Sequence, residues 1–240
     1  MIDRKVLLGV AAVVLGSAFL AAGMASAASL SLTSQDLTPY RTCTIAATPA
    51  TTAAVIDASV RQASAGSNFG TATTNDIATA AAANRRLYVK FDLTGCSPAI
   101  PSSAIVRLAT LRLFLSAVPA VCRTIDIFRV TASWAETTIT WTNQPFGAAI
   151  NNPASASATG TFTVGTPAGC ANQATGAYTV GANVTTDVAA FVAGSATNAG
   201  WMLRDDAEGS ATTYTTTTSA KDLANIARVP ELVVTYVLVP

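Results

Sequence analysis

Short runs of alternating apolar and polar residues recur along this 240-residue chain, and they constrain its fold more than any other feature. In residues 86–93, apolar side chains occupy every second position from Leu87 to Leu93, and residues 110–116 and 232–239 repeat the pattern. Successive side chains of a β-strand point to opposite faces, so each run predicts a strand with one buried face. Further strands are predicted at 124–130, 138–141, 160–164, 200–204 and 214–218.

Gly, Pro, Asn and Ser clusters separate these runs, and few segments have a helical pattern. Many short strands at this spacing are typical of an all-β, antiparallel β-sandwich rather than of βαβ units. One short helix is predicted at 188–193, with Thr186 or Asp187 as its N-cap and Gly194 at its end. No fixed-period repeat divides the chain, so we expect a single domain.

The first 27 residues have the order of a secretory signal peptide. Arg4 and Lys5 precede an apolar run from Val6 to Ala22, and Ala25-Ser26-Ala27 offers a small-x-small cleavage site. The alternative is an uncleaved anchor, but the run is short for a membrane span. We therefore predict a signal peptide at 1–27, an N-terminal arm at 28–52 and one sandwich domain at 53–240, with a secreted, extracellular product that has no membrane span after cleavage.

Composition excludes several classes of function. The sequence has no histidine, which excludes Ser-His-Asp and Cys-His catalysis and histidine-ligated zinc. The net charge is +1 and only 11% of the residues are charged, so no basic field for nucleic acid is expected.

Four cysteines, Cys43, Cys96, Cys122 and Cys170, lie after the predicted cleavage site. In an oxidising compartment an even number predicts two disulfides. A 96–122 bond is disfavoured because the strand between these residues would span roughly 27 Å. Of the remaining pairings we favour 43–96 with 122–170.

Five sequence blocks carry a family resemblance: 67–70 (Ser-Asn-Phe-Gly), 86–93, 109–115, 128–145 and a group at 187–188, 200–204 and 230–236. The most specific is 128–145, where Trp134, Glu136, Trp141 and Gln144 are similar to the pattern Trp-x-Glu-x-x-Val-Thr-Trp-Asn-x-Gln-Pro. Together the blocks resemble the DNRLRE domain family, also classed as carbohydrate-binding module family 96. The resemblance implies a jelly-roll β-sandwich with an opening strand at 55–60, and non-catalytic glycan binding. The chain departs from the pattern at Thr142 and in the Thr-rich run 215–220.

Candidate ligand-binding residues lie on the polar faces of two predicted strands. They are Arg86, Tyr88, Lys90, Arg112 and Phe114. Aromatic faces stack on sugar rings, and cations bind uronate carboxylates, so this stripe suits an acidic polysaccharide. Alternatively, these five residues have no binding role and form a solvated face or lie under the N-terminal arm 28–52. Trp134 and Trp141 are a second candidate platform, but a structural role for them, with Glu136 and Gln144 satisfying backbone groups, is favoured.

Asp205, Asp206 and Glu208 form a compact acidic loop. Close oxygen ligands suit Ca²⁺, but the loop lacks an EF-hand pattern. A solvated turn is favoured, with a structural calcium ion as the alternative and no other cofactor expected.

The leading hypothesis is a secreted, non-catalytic module that binds a polysaccharide or cell-wall glycan. The alternative is a structural surface protein that associates with copies of itself, since the surface is nearly neutral and Thr-rich. A hydrolase is disfavoured, because no motif places two carboxylates in a cleft.

Overall fold

Eleven β-strands and one α-helix supply the regular structure of the part of the chain described here. A computed structural model describes residues 40–48, 52–168, 170 and 175–239. The strands are β1 (Arg41–Ala46), β2 (Val55–Arg61), β3 (Thr74–Thr79), β4 (Arg85–Phe91), β5 (Ile105–Arg112), β6 (Leu115–Ala117), β7 (Arg123–Arg129), β8 (Gly160–Val164), β9 (Trp201–Asp205), β10 (Tyr214–Ser219) and β11 (Glu231–Val237). The helix α1 is Thr185–Val192.

The strands form two antiparallel sheets. The small sheet has the order β1-β11-β5, and the large one has the order β6-β10-β3-β4-β9-β7-β8, with β2 paired along β4. Neighbours in space are often distant in sequence, as in the β4–β9 and β5–β11 pairs. The fold class predicted from the alternation, an all-β antiparallel sandwich with jelly-roll character and one short helix, is confirmed.

The main core fills the space between the two sheets. The alternating apolar residues of the predicted strands lie there, and Leu87, Val89, Leu111, Leu113 and Leu232 are fully buried. Burying an aliphatic side chain of this size contributes about 1.5–3 kcal/mol. The burial of these alternating apolar side chains therefore supplies much of the free energy that holds the two sheets together.

A second core covers the other face of the large sheet. Segment 131–159 folds across this face and packs Trp134, Ile139 and Trp141 against Tyr88 and Phe128. The face of β4 that was predicted to point outward is therefore covered. The cover is segment 131–159, whereas Arg41–Ala46 of the predicted arm pairs in the small sheet.

Most predicted strands match observed ones within one or two residues, and β8 matches at both ends. The prediction of a strand at 138–141 is wrong, because these residues form turns in the cover of the large sheet. Two strands, β1 and β3, were not predicted, and the predicted strand at 110–116 is divided between the end of β5 and the start of β6. The prediction of Thr186 or Asp187 as the N-cap is wrong, because the helix begins at Thr185 and both residues lie in its first turn. Gly194 follows the last turn with φ +71°.

Two disulfides join distant segments, and both follow the favoured pairing. Cys43–Cys96 ties β1 to the segment that follows β4, and Cys122–Cys170 ties the start of β7 to the segment beyond β8. Part of the predicted arm, Arg41–Ala46, is thus a strand of the small sheet that is covalently fastened to the domain.

The described residues all belong to one compact unit. The predicted signal peptide and the first part of the predicted arm lie outside the described residues. Within the described ranges, no helix combines the length and the apolar character needed to cross a bilayer.

Candidate functional site

The five predicted ligand-binding residues occupy three different environments. Arg86 and Tyr88 are fully buried in the second core. Lys90 is half-buried beside a shallow pocket that Ile56 and Asn198 also line. Arg112 and Phe114 lie together at the end of the small sheet. The structure therefore does not assemble the predicted stripe as one surface.

The outward placement predicted for Arg86 was wrong, because its guanidinium is enclosed by protein groups. Its Nε and Nη2 each donate to a Glu208 carboxylate oxygen at 2.7 Å. Its remaining donors reach the Gln144 side chain at 3.1 Å and the backbone oxygens of Gly147 and Ala149. A guanidinium with all these partners binds and orders the cover of the large sheet and is closed to an external ligand.

Tyr88 was also predicted to point outward, and it too lies under the cover. Its hydroxyl donates to Gln144 Oε1 at 3.1 Å, and its ring meets that of Trp134 edge-to-face at 5.6 Å between centroids. Burial raises the pKa of Tyr88, so the hydroxyl stays protonated.

The Trp-Glu-Trp-Gln motif forms the corner that covers these residues. Trp134 Nε1 donates to the Ala199 backbone oxygen at 2.8 Å, and Glu136 Oε1 accepts from the Asp57 backbone N–H at 2.8 Å. Gln144 is buried and donates to the Trp141 carbonyl at 2.9 Å. Trp134 and Glu136 thus fasten the corner to other parts of the fold, and Gln144 closes a hydrogen bond within it.

Two arginines and two aromatic rings group around Arg112 and Phe114, with one arginine exposed and the other three side chains half-buried. We call Arg112, Phe114, Tyr178 and Arg228 the aromatic–arginine cluster. Phe114 and Tyr178 form an isolated β-bridge, and their rings meet at 86° with centroids 5.4 Å apart. The Arg112 guanidinium lies 4.4 Å from the Tyr178 ring centroid, and that of Arg228 lies 5.0 Å from Phe114. Each arginine is thus within range of a cation–π contact.

Hydrogen bonds hold the Tyr178 ring in place. Its hydroxyl donates to the backbone oxygens of Ala227 at 3.1 Å and Val229 at 3.0 Å, which anchors the turn that carries Arg228. Burial, and next the Glu231 charge, raise the pKa of Tyr178. The hydroxyl therefore remains a donor at neutral pH, and the cluster has a fixed geometry.

The cluster carries an excess positive charge. Arg112 pairs with Glu231 at 2.7 Å, and its side chain is still 39% exposed. Arg228 is exposed, and no carboxylate within the described ranges forms an ion pair with it. An anionic group that approaches this surface can accept charge-assisted hydrogen bonds from Arg228 without displacing a protein carboxylate.

Sequence reasoning found half of the cluster. Arg112 and Phe114 belong to a strongly alternating run, whereas Tyr178 and Arg228 lie in irregular segments without a pattern. The four residues meet only because β11 pairs with β5 and the segment after 175 bridges Phe114. No signal in the local sequence predicts that meeting.

The predicted calcium ligands contact arginines from two different parts of the fold. Arg123 pairs with both Asp205 and Asp206, whereas Glu208 binds the buried Arg86.

A different set of carboxylates converges within the described part of the chain. The ligand atoms of Asp57, Glu136 and Asp222 lie within 4.8 Å of one another. The Lys221 ammonium joins them, 3.3 Å from Glu136 and 3.1 Å from Asp222. Calcium binding at 205–208 stays a prediction.

Asp57 is the most enclosed member of that acidic group. It is 1% exposed, and burial raises the pKa of its carboxyl to about 7. Its Oδ2 accepts from the Lys221 backbone N–H at 2.9 Å, which links β2 to the segment after β10. The group stabilises the fold at this point.

The sequence comparison decides the family. The family model described as carbohydrate-binding module family 96 matches residues 48–236, which include every strand except β1 and the last residue of β11. The chain belongs to this family. No curated protein matches the sequence. Membership in carbohydrate-binding module family 96 indicates a carbohydrate-binding module.

Proposed function

We propose that this protein is exported and binds an acidic polysaccharide or cell-surface glycan at the aromatic–arginine cluster, without cleaving it. The observation that carries the proposal is the cluster itself, on a member of a carbohydrate-binding family. A planar guanidinium matches a carboxylate or sulfate in two parallel hydrogen bonds, and aromatic rings contact the C–H faces of sugars. Arg228 and Arg112 would bind the anionic groups, and the rings of Phe114 and Tyr178 would contact the sugar.

The carboxylates support a role without catalysis. Glycoside hydrolysis commonly needs two carboxyl groups on either side of an accessible bond, one of them kept protonated. Asp57 has a raised pKa but is buried, and its neighbours Glu136 and Asp222 share the Lys221 ammonium. Asp205 and Glu208 are paired with arginines.

Affinity electrophoresis tests the binding proposal. The exported protein should migrate more slowly in gels that contain a polyuronate than in gels without it. Arg228→Ala should reduce the apparent affinity about tenfold or more, since a hydrogen bond to a charged group is worth about 1.5–3 kcal/mol. Arg107→Ala is the matched control, because Arg107 is an exposed arginine outside the cluster. Equal affinity of the two variants, or no retention of the wild type on any acidic glycan, would overturn the proposal.

Export is supported by the leader pattern and by the two disulfides. Structural disulfides persist in oxidising compartments and are rare in the cytosol. The protein recovered from culture medium should begin at Ala28, and non-reducing peptide mapping should find the pairs Cys43–Cys96 and Cys122–Cys170 with no free thiol. Retention of the first 27 residues on a cell-bound product would contradict the proposed processing.

Self-assembly is a second candidate, and one observation favours it. Among the described strands, β1 pairs only with β11, so its other edge has no strand partner there. An open edge can pair with another chain. Sedimentation of the exported protein separates the two functions: a monomer that binds glycan supports the first, whereas concentration-dependent filaments or sheets support the second.

A further inference from the structure

A groove of about 440 Å³ lies on the large-sheet side of the molecule, away from the residues of the aromatic–arginine cluster. It is bounded by the end of β7, by parts of the covering segment 131–159 and by the start of α1. Its volume falls in the range of about 300–1,000 Å³ that is usual for small-ligand pockets. The residues that matter for its chemistry are Arg129, Thr131, Phe146, Thr159, Thr186 and Asp187.

An aromatic ring supplies the apolar wall of the groove. Phe146 is half-buried and packs edge-to-face on Phe128, with ring centroids 6.3 Å apart. Phe128 is itself buried in the second core, so Phe146 rests on a firm support. A ring held in this way can contact the C–H face of a sugar with little loss of side-chain freedom on binding.

A charged pair supplies donors and acceptors side by side. Asp187 lines the groove although it is only 1% exposed, and its Oδ2 is fixed by the Trp201 indole N–H at 2.8 Å. Its Oδ1 lies 3.4 Å from Arg129 Nη1. Within the described ranges this long contact is the only ion pair or hydrogen bond of the Arg129 side chain, which is 37% exposed. The other N–H groups of Arg129 thus have no protein partner in the described ranges. They lie beside Asp187 Oδ1, whose own contact with Nη1 is long.

Such a pair fits two adjacent hydroxyl groups. One sugar hydroxyl can donate to the Asp187 carboxylate while its neighbour accepts from Arg129, so both charged groups gain partners without a net change in charge. Three exposed threonines, Thr131, Thr159 and Thr186, lie around the same space, and the Thr159 hydroxyl already donates to the Ile127 backbone oxygen. The Arg129 and Asp187 charges cancel, so the groove has no net attraction for an anionic group.

The geometry points to a second glycan site in this groove, which binds a neutral pyranose unit with Phe146 against the ring and Arg129 and Asp187 on vicinal hydroxyls. The inference rests on the proposed glycan-binding function, but it names a different surface and a different sugar chemistry. The aromatic–arginine cluster selects acidic groups by excess positive charge, whereas the groove selects hydroxyl pairs by shape and hydrogen bonding.

Calorimetric titration of the exported protein with neutral hexasaccharides of glucose, mannose, galactose or xylose tests the inference. At least one of them should bind, and Arg129→Ala should weaken that binding about tenfold. Thr131→Trp should also weaken it, because Thr131 is exposed and a large side chain there fills the groove without disturbing the core. Arg107→Ala is the control, because it removes an arginine outside the groove, and it should bind the neutral hexasaccharide as the wild type does.

Two results would overturn the inference: no heat of binding with any neutral hexasaccharide, or affinities of Arg129→Ala and Thr131→Trp equal to that of the wild type.

A second titration uses polyuronate oligosaccharides. Arg228→Ala should lose affinity for these and keep its affinity for the neutral ligand. If acidic ligands bind and neutral ones do not, the groove inference fails while the proposed function stands. If neutral ligands bind and acidic ones do not, the cluster proposal fails instead.

Discussion

Arg86 is the residue whose environment departs most from what its sequence position suggests. It occupies a polar position in an alternating strand, yet its side chain is completely buried and carries a full charge. Burial of an ion costs several kcal/mol, and the pair stays folded only because Glu208 and neutral acceptors satisfy the guanidinium. The pair fastens the covering segment 131–159 to β4.

Glu208→Gln should therefore destabilise the protein strongly. Removing one charge of a buried pair leaves the other uncompensated, which costs about 3–5 kcal/mol. Urea unfolding at pH 7 measures the loss. Glu231→Gln is the control, since its partner Arg112 is 39% exposed and such pairs contribute about 0–1 kcal/mol. Equal losses for the two variants would contradict the role assigned to the buried pair.

Asp57 predicts a pH dependence of stability. Its carboxyl pKa is raised from 3.8 in the unfolded chain to about 7 in the fold, by burial. The folded state therefore holds a proton that the unfolded state releases, so this contribution to stability is complete below pH 4 and is lost as the pH rises to 7. Between these values the free energy of unfolding should fall by up to about 1.4 kcal/mol per pH unit from this group.

Asp57→Asn removes the titrating group and keeps an oxygen acceptor for the Lys221 backbone N–H. Urea unfolding at pH 5 and pH 8 should show a clearly smaller difference for the variant than for the wild type. The raised pKa of Glu136, also due to burial, leaves a residual slope in both proteins. An unchanged slope in Asp57→Asn would show that Asp57 is not the group responsible.

The turn before β3 fixes the covering corner to the large sheet. Asn68 Nδ2 donates to the backbone oxygens of Glu136 at 2.7 Å and Ile139 at 2.8 Å. A Cβ at Gly70 would meet the Glu136 backbone oxygen, so the Asn-Phe-Gly turn and the Trp-Glu corner can approach only with glycine there. Two of the family blocks are thus in direct contact.

Gly70→Ala should lower the free energy of unfolding by about 1–3 kcal/mol, the usual cost of overpacking a tight contact. Gly66→Ala is the matched control in the same turn region, because a Cβ there meets nothing within 4 Å, and its effect should stay within about 0.5 kcal/mol. Thermal or urea unfolding distinguishes the two, and equal stability of both variants would refute the close approach.

The elements that sequence predicted well are those with one face against the core. For β4 and β11, alternation determines the strand and the face that packs in the main core, since a one-residue slip would turn every apolar side chain away from that core. The run 110–116 overlaps β5 at only three residues. The strands β1 and β3 lack this signal: Arg41–Ala46 and Thr74–Thr79 contain mostly polar and small residues. Their pairing depends on neighbours distant in sequence and on the Cys43–Cys96 bond.

For the whole molecule, the sequence did not predict how many layers cover the large sheet. Alternation in β4 predicts one exposed face, which holds for a simple sandwich. Here segment 131–159 adds a third layer, so Arg86 and Tyr88 are buried although they alternate with core residues. The candidate site was predictable only for Arg112 and Phe114, because Tyr178 and Arg228 reach them through tertiary contacts.

We expect acidic glycan to bind at the small-sheet end of this sandwich, through the aromatic–arginine cluster. Titration of the isotope-labelled exported protein with a polyuronate oligosaccharide, followed by amide and arginine side-chain NMR signals, tests this proposal. Saturable shifts should occur at Arg112, Phe114, Tyr178 and Arg228. Saturable binding with shifts confined to other surfaces, or no shifts with any acidic oligosaccharide, would show that the cluster is not the binding site.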